Sequence, residues 1–364
     1  MTTTTETTTL FTPAKLGELT LPNRIVMAPM SRVRAAAGGL ATPSMAAYYA
    51  QRASAGLIIT EGVQPSLVGQ SNPGTPGLHT DAQTESWRQV TGAVHANGGR
   101  IFAQLMHGGR VSHPETTGHR PVGPSEIAAP GEVFTPSGPK PAPLPYALGT
   151  AEVPEQAQSY ANAARRAIMA GFDGVELHGA NGYLIAQFLS SNANLRTDRY
   201  GGSIPGRIRF AVEAVTATAD AIGAARVGIR LSPNSGIWGV EETDAPELYT
   251  ALLAELAPLG LAYVHFEATV GDEVLLPLRR AWRGTMIVNP AHPAGPRWSD
   301  REAAERWLEL GADLISFGRA YISNPDLVER LRQNLPLAGH DQDIWYTGGD
   351  AGYLTFTTYQ HEAA

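Results

Sequence analysis

One pattern constrains this chain more than any other: eight short apolar runs, each bounded by Gly, Pro or charge, recur along 364 residues with helical patterns between most of them. The runs are IVMAP from Ile25, LIITE from Leu57, RIFAQLM from Arg100, GVELH from Gly174, RVGIRLSP from Arg226, LAYVHFE from Leu261, TMIVNP from Thr285 and DLISFGR from Asp313. Their richness in Val, Ile, Leu and Phe is that of buried strands. The stretches TPSMAAYYAQRASAG and VPEQAQSYANAARRAIMAG each open with a Pro near the helix start and close on Gly. IPGRIRFAVEAVTATADAIG, DAPELYTALLAELAPLG and SDREAAERWLELG repeat the device, each running into the next strand. Strand-then-helix units in this number, with no linker between halves, favour a closed (β/α)8 TIM barrel over a doubly wound open sheet.

In such a barrel the chemistry sits at the carboxyl ends of the strands, so the polar residues that end these runs carry the most information. Two segments stand outside the repeat. AKLGELTL, from Ala14 to Leu21, suits a short hairpin closing the barrel floor. The stretch from His113 to Pro154, dense in Pro and Gly after the third strand, is too long for an ordinary loop and reads as a capping excursion. Residues 1–10 are Thr-rich, lack the basic and apolar regions of a signal peptide, and read as a disordered tail. Residues 11–364 then form a single barrel unit.

Composition removes several chemistries. The formal charge of -7 and pI near 5.8 give no basic bias, so neither nucleic acid nor an anionic membrane is an expected partner. No apolar run reaches the ~18 to 20 residues of a membrane span, and a soluble cytoplasmic protein is expected. The count of Cys is 0, which excludes disulfides, thiolate metal sites, iron–sulfur clusters and Cys nucleophiles. Redox chemistry would need a bound cofactor. Lys occurs only at Lys15 and Lys140, so nearly all the cations are Arg.

Four strand ends stand out. FGRAYISNP places Gly318 and Arg319 after the last strand, where barrels commonly bind phosphate, although a salt-bridged Arg fits the pattern equally well. Arg230 in VGIRLSP is flanked by apolar residues that force it into the barrel mouth, where it needs an anionic or polar partner. Gln104 in FAQLMH offers both a donor and an acceptor, suited to an imide edge such as a flavin pyrimidine. Arg230 and Gln104 each also read as satisfied core polar groups. In ELHGANGYL, Val175 and Leu177 point to one face while Glu176 and His178 point to the other. Asn181 and Tyr183 lie just beyond. His178 and Asn181 can each offer an N–H to one oxygen, and Tyr183 can give up a proton. A metal site is not expected, because Asn is a poor zinc ligand and no second His or carboxylate sits at ligand spacing. A structural role for His178 stays open on these residues alone.

With those residues in view, the chain resembles the old yellow enzyme family of flavin-dependent ene reductases from Leu10 to about Tyr353. The resemblance rests on LFTPAKLGELTLPNRIVMAPMSR, YYAQRASAGLIITEG, PGLHTDAQTESWRQVTGAVHANGGRIFAQLMHGGR, GFDGVELHGANGYLIAQFLSSNANLRTDRYGGS, GIRLSP and ISFGRAYISNPDLVERL, which are specific only together. It implies non-covalent FMN across the barrel mouth and NADPH or NADH as reductant. Pro29 and Met30 would lie beside the isoalloxazine ring, and Ser31, where Thr is usual, would offer its hydroxyl near the C4 carbonyl. Gly62 and Gln104 are implied on the pyrimidine side, Arg230 near N1 and the C2 carbonyl, and Gly318 and Arg319 at the phosphate. His178 and Asn181 correspond to the donors that hold the carbonyl or nitro oxygen of an activated alkene, and Tyr183 to the proton donor. The substrate is then a small activated alkene; the oligomeric state stays open.

The chain departs from the family pattern at several points. Asn72 and Met106 stand where aromatics are common and would reshape the substrate pocket. Pro290 and Pro293 occupy a turn that often supplies N–H groups to phosphate. Met30, rather than Cys, points to the classical branch. Trp345 and Tyr346 resemble the aromatic contact over the dimethylbenzene edge, with Tyr346 at the pocket. The main enzymatic alternative, a lyase or aldolase on a phosphorylated substrate, would in its Schiff-base form need a Lys at a strand end. A flavin-binding sensor would have no need of His178, Asn181 and Tyr183 together.

Overall fold

The computed structural model describes residues 9–268, 270–290, 300–339, 341–346 and 349–359, and in it the eight apolar runs become eight parallel strands. They are β1 (Ile25–Met27), β2 (Leu57–Val63), β3 (Ile101–Leu105), β4 (Gly174–Gly179), β5 (Val227–Leu231), β6 (Tyr263–Glu267), β7 (Met286–Asn289) and β8 (Leu314–Phe317). Each pairs with its sequence neighbours, and β8 returns to β1, so the sheet closes into a (β/α)8 barrel. The Thr-rich residues 1–8 and Pro293 lie outside the described residues.

Side chains alternate along each strand, and the two rows have different partners. One row, including Ile25, Ile58, Ala103, Val175, Leu177, Ile229 and Val264, packs outward under the helices. The other points inward and changes character with height. Its lower part is apolar: Val26, Leu57, Ile59, Phe102, Tyr263, Ile287 and Leu314 form a cluster with Ala14, Leu16 and Leu21. Those last three come from the antiparallel hairpin Ala14–Leu16/Leu19–Leu21, which closes the floor. Gly174 and Gly228 make room for the rings there. A Cβ at Gly174 would lie 2.4 Å from Phe102 Cζ, and one at Gly228 would lie 2.3 Å from Tyr263 Cζ. Two residues further along the same strands the inward row is polar: Gln104, Glu176, Arg230, His265, Asn289 and Ser316.

The crossover helices begin where their start signals lie. Thr42 caps α1 (Pro43–Ala50), its hydroxyl accepting from Met45 N at 3.3 Å. Helix α2 (Asp81–Ala96), which carried no Pro-led start, opens on a reciprocal capping box between Thr80 and Gln83. Helices α3 (Val153–Met169), α4 (Ile204–Ile222), α5 (Ala245–Leu256), α6 (Asp272–Ala281) and α7 (Arg301–Glu309) complete the crossovers. The excursion after β3 is ordered: it holds a short parallel bridge, Val122–Gly123 with Tyr146–Ala147, and a hairpin, Glu132–Thr135 with Gly138–Pro141.

Candidate active site

His178 is the last inward side chain on β4, and only 4% exposed. Its Nδ1 accepts a hydrogen bond from Ala180 N at 3.4 Å. Burial, then the positive Arg230, hold the imidazole well below its usual 6.5. A neutral ring that accepts at Nδ1 must carry its proton at Nε2. His178 therefore presents one N–H, without a positive charge, from the end of β4.

The turn after β4 fixes the next two groups. Asn181 is left-handed at φ 54, a conformation Asn tolerates, and its N–H donates to Ser232 Oγ at 2.8 Å. Gly182 follows at φ 74, where a Cβ would come within 2.4 Å of Ile237 O. Tyr183 emerges beside His178 with ring centroids 5.0 Å apart. Burial pushes its phenol up to about 12, with Trp238 alongside acting in the opposite direction and Tyr346 adding to the rise.

Asn181 is not free to turn. Its Nδ2 donates to Glu267 Oε2 at 2.7 Å, and the same carboxylate oxygen receives Arg230 Nη2 at 3.1 Å. Arg230 Nη2 also donates to Asn289 Oδ1 at 3.2 Å, and Asn289 Nδ2 bonds Ser316 O at 2.9 Å. Glu267 and Asn289, which sequence reasoning did not single out, thus brace one implied substrate donor and one implied flavin contact. Glu267 closes the quoted run LAYVHFE, so its strand-end position was a usable signal; its partners were not.

The opposite side of the mouth comes from the loop after β1 and the carboxyl-terminal segment. Pro29, Met30 and Ser31 are half-buried, and the Ser31 hydroxyl has no partner among the described residues. Met30 Sδ would lie 3.8 Å from a Cβ built on Gly318, so the two strand ends adjoin. Arg32 Nε and Arg34 Nη1 both donate to Trp345 O, and Arg32 Nη2 donates to Gly352 O at 2.8 Å. Tyr48 and Tyr353 stack at 4.1 Å beneath these guanidinium groups. That clamp sets Trp345 near Arg319, whose guanidinium carbon is 5.6 Å from the Trp345 ring centroid.

The remaining expected residues divide. Gly62 lies against Met106, whose Sδ would be 2.6 Å from a Cβ there, so a larger residue would displace the methionine side chain. Tyr346 is 53% exposed beside Trp345, their centroids 6.4 Å apart. The polar contacts of Asn72 are within its own loop, to Gln70, Ser71 and Thr75, and bring it to none of the other site residues. Tyr183 and Trp238 pack with Val111, Ala129 and Val133, so the excursion forms a wall of the site. Trp238 is itself left-handed at φ 55, with its carbonyl held by Arg110 Nη2 at 2.8 Å. Of the two Lys side chains, Lys15 bonds Thr20 on the floor and Lys140 pairs with Glu115 in the excursion. Neither reaches the mouth.

The donor set fits a flavin mononucleotide. Arg230 Nε is buried without a partner. Arg319 makes no hydrogen bond or ion pair among the described residues. Unspent cationic donors on two strand ends of the mouth, with a free hydroxyl at Ser31, match a ligand having an imide at one end and a phosphate at the other. Among the described residues no group of His, Asp and Glu is placed to hold a metal ion, and no helix is long and apolar enough to cross a membrane.

Comparison with known proteins bears on the family, the fold and the cofactor. The profile of the NADH:flavin oxidoreductase / NADH oxidase family matches residues 9–338. 12-Oxophytodienoate reductase 1 of Oryza sativa subsp. japonica is 39% identical over 352 residues, covering 93% of this chain and 90% of that protein. Chanoclavine-I aldehyde reductase fgaOx3 of Penicillium roqueforti is 39% identical over 369 residues, 96% of each. Among solved structures, morphinone reductase in complex with tetrahydroNAD superposes with a TM-score of 0.92 at 40% identity, covering 98% of this chain and 99% of that one. The old yellow enzyme homologue from Zymomonas mobilis gives 0.91 at 39%, covering 96% and 99%.

Proposed function

Because the chain belongs to the NADH:flavin oxidoreductase / NADH oxidase family and is an FMN-dependent ene reductase of the old yellow enzyme type, with NAD(P)H as reductant, we propose that it reduces alkenes conjugated to a carbonyl or nitro group, using His178, Asn181 and Tyr183. The observation that carries this reading is the protonation state of His178. A buried neutral imidazole with Nδ1 occupied leaves Nε2–H as a preorganised donor, and one N–H of Asn181 remains available beside it.

The chemistry that FMN supplies when bound is hydride transfer, taken from NAD(P)H and passed on to the β carbon of the alkene. Ser31, Gln104, Arg230, Gly318 and Arg319 would hold it, with Pro29, Met30 and Gly62 bordering the ring. His178 Nε2–H and Asn181 Nδ2–H bind the substrate oxygen and stabilise the negative charge it gains as the β carbon is reduced. Each such donor is worth roughly 10²- to 10³-fold in rate when it is aimed at developing charge. Tyr183 Oη–H then delivers the proton to the α carbon, so the double bond takes up one hydride and one proton while NAD(P)H is oxidised. Burial that keeps Tyr183 protonated also keeps that proton in place until the carbanion forms. Enones, enals, maleimides and nitroalkenes share the needed oxygen, and nitrate esters present a similar one.

Arg230 would place positive charge beside the flavin when FMN is bound, and such a charge favours reduction. Lys-based Schiff-base chemistry has no support, since neither Lys lies near the mouth. The test is reconstitution with FMN, followed by NADPH and NADH oxidation with 2-cyclohexenone, N-methylmaleimide and a nitrostyrene. A preparation that takes up no FMN, or reduced enzyme that returns no electrons to any of the three, overturns the reading.

A further inference from the structure

The polar half of the barrel contains a hydrogen-bonded chain of which the proposed reaction uses only Gln104. Gln104 Nε2 donates to Glu176 Oε1 at 2.8 Å. Glu176 Oε2 lies 2.8 Å from His265 Nδ1, and His265 Nε2 lies 2.8 Å from Ser316 Oγ. The four side chains stand on β3, β4, β6 and β8, so the chain crosses the barrel interior. Glu176, His265 and Ser316 are 0% exposed and Gln104 is 2%. A carboxylate buried this far is costly, and the apolar layer beneath shows that packing alone does not require it. It must therefore be holding something in one orientation.

Donor and acceptor roles along the chain follow from its chemistry. Burial holds His265 below its usual value, although the adjacent Glu176 pulls it up. A neutral ring has one N–H, and the carboxylate takes it from Nδ1, leaving Nε2 to accept from the Ser316 hydroxyl. The other carboxylate oxygen takes the Gln104 amide N–H. Turning that amide over would set its Oε1 against a carboxylate oxygen, two acceptors face to face. The amide is thus held with Oε1 turned away from Glu176, where it meets no donor among the described residues.

We propose that Glu176 is a positioning residue that fixes the Gln104 amide with its Oε1 toward FMN, as the acceptor for the N3–H of the flavin imide. The inference rests on the flavin reading given above. It explains why an acid stands in an otherwise buried layer. Glu176 lies opposite Gln104 in the β3–β4 ladder, and only a side chain with an acceptor can set the amide from there.

The test uses apoprotein reconstituted with FMN carrying ¹⁵N at N3, read by the proton–nitrogen NMR signal of N3–H and by the dissociation constant from flavin fluorescence. Wild type should show one slowly exchanging, downfield N3–H signal. Glu176→Met keeps the volume and removes the acceptor; the signal should move upfield and broaden, and the dissociation constant should rise about tenfold. Glu176→Gln can still accept from Gln104 through its carbonyl while its own NH₂ turns to His265, so signal and affinity should return to within about threefold of wild type. The proposal falls if Glu176→Met keeps signal and affinity, or if Glu176→Gln behaves like Glu176→Met. Should Glu176→Met not fold, Gln104→Met decides: loss of the downfield signal supports the assignment of the acceptor, and retention overturns it. Wild type that binds no FMN would defeat the flavin reading itself, whereas bound FMN with an unchanged N3–H in every variant defeats only the role of Glu176.

Discussion

The lower and upper halves of the barrel interior are built from the same strands and the same inward row, yet they do different work. Below, Phe102, Tyr263, Ile287 and Leu314 fill the space, with only the Tyr263 hydroxyl turned toward Glu176 of the layer above, and Gly174 and Gly228 admit the two rings. Above, two residues on, Gln104 and His265 are hydrogen-bonded to Glu176, Asn289 to Arg230, and Ser316 to His265 and Asn289. One step of strand period separates a packing layer from a recognition layer. The lower half should therefore govern stability and the upper half chemistry.

Phe102→Ala tests that division most severely. Removing a fully enclosed ring should cost about 3 to 5 kcal/mol of stability, read as a lowered denaturant midpoint. FMN affinity of the folded fraction should stay within about twofold of wild type, since the ring touches only the floor layer. A large loss of FMN affinity at unchanged stability would erase the distinction between the halves. His178→Ala is the counterpart above: alkene reduction should slow about 10²- to 10³-fold with little change in melting temperature. Tyr183→Phe should slow proton delivery by roughly 10²-fold or more, while flavin reduction by NAD(P)H proceeds at the wild-type rate. Equal slowing of both half-reactions would remove Tyr183 from the proton-donor position.

The two halves also differ in how much the sequence disclosed. The eight strands were legible because buried parallel strands are runs of apolar residues, and the floor hairpin because it alternates around Gly17. His178, Asn181 and Tyr183 were legible because one strand end and one turn carry all three. What escaped depends on barrel closure. Asn181 and Glu267 are 86 positions apart in the chain and meet only because β4 and β6 curve toward a common mouth. The Arg32 clamp on Gly352 spans 320 positions, with no local pattern to announce it. Helix α2 escaped for a different reason. Its start is a Thr80–Gln83 capping box without the Pro-led opening seen elsewhere, and that box was a readable signal.

Glu267→Gln sharpens the comparison within the upper half. The carboxylate holds Asn181 and offsets the charge of Arg230, so neutralising it should affect the two half-reactions in opposite senses. Less negative charge beside Arg230 makes the flavin easier to reduce, and NAD(P)H oxidation should quicken by a few-fold. Asn181, held by a weaker partner, should lose aim at the substrate oxygen, and alkene reduction should slow about tenfold. Stopped-flow traces of each half-reaction separate these effects. Slowing of both by the same factor would show Glu267 to be a general brace rather than a bridge between the two sites.

The smallest expected effect concerns pH. Burial and the positive Arg230 keep His178 well below 6.5, so it is already neutral at neutral pH and gains nothing as the solution becomes more alkaline. Tyr183, pushed up to about 12, stays protonated over the same range. The two groups that act on the alkene therefore hold one charge state from roughly pH 7 to 10. The single-turnover rate of alkene reduction should vary by less than about twofold across that window. A fall in rate with a midpoint near 6.5 as pH rises would mean that an imidazolium, not a neutral imidazole, holds the substrate oxygen. An alkaline fall near 10 would mean that the phenol is solvated rather than enclosed by Trp238 and the excursion. In Tyr183→Phe the alkaline side should lose any remaining slope, which assigns that limb to the phenol and separates it from unfolding, monitored on the same samples by circular dichroism.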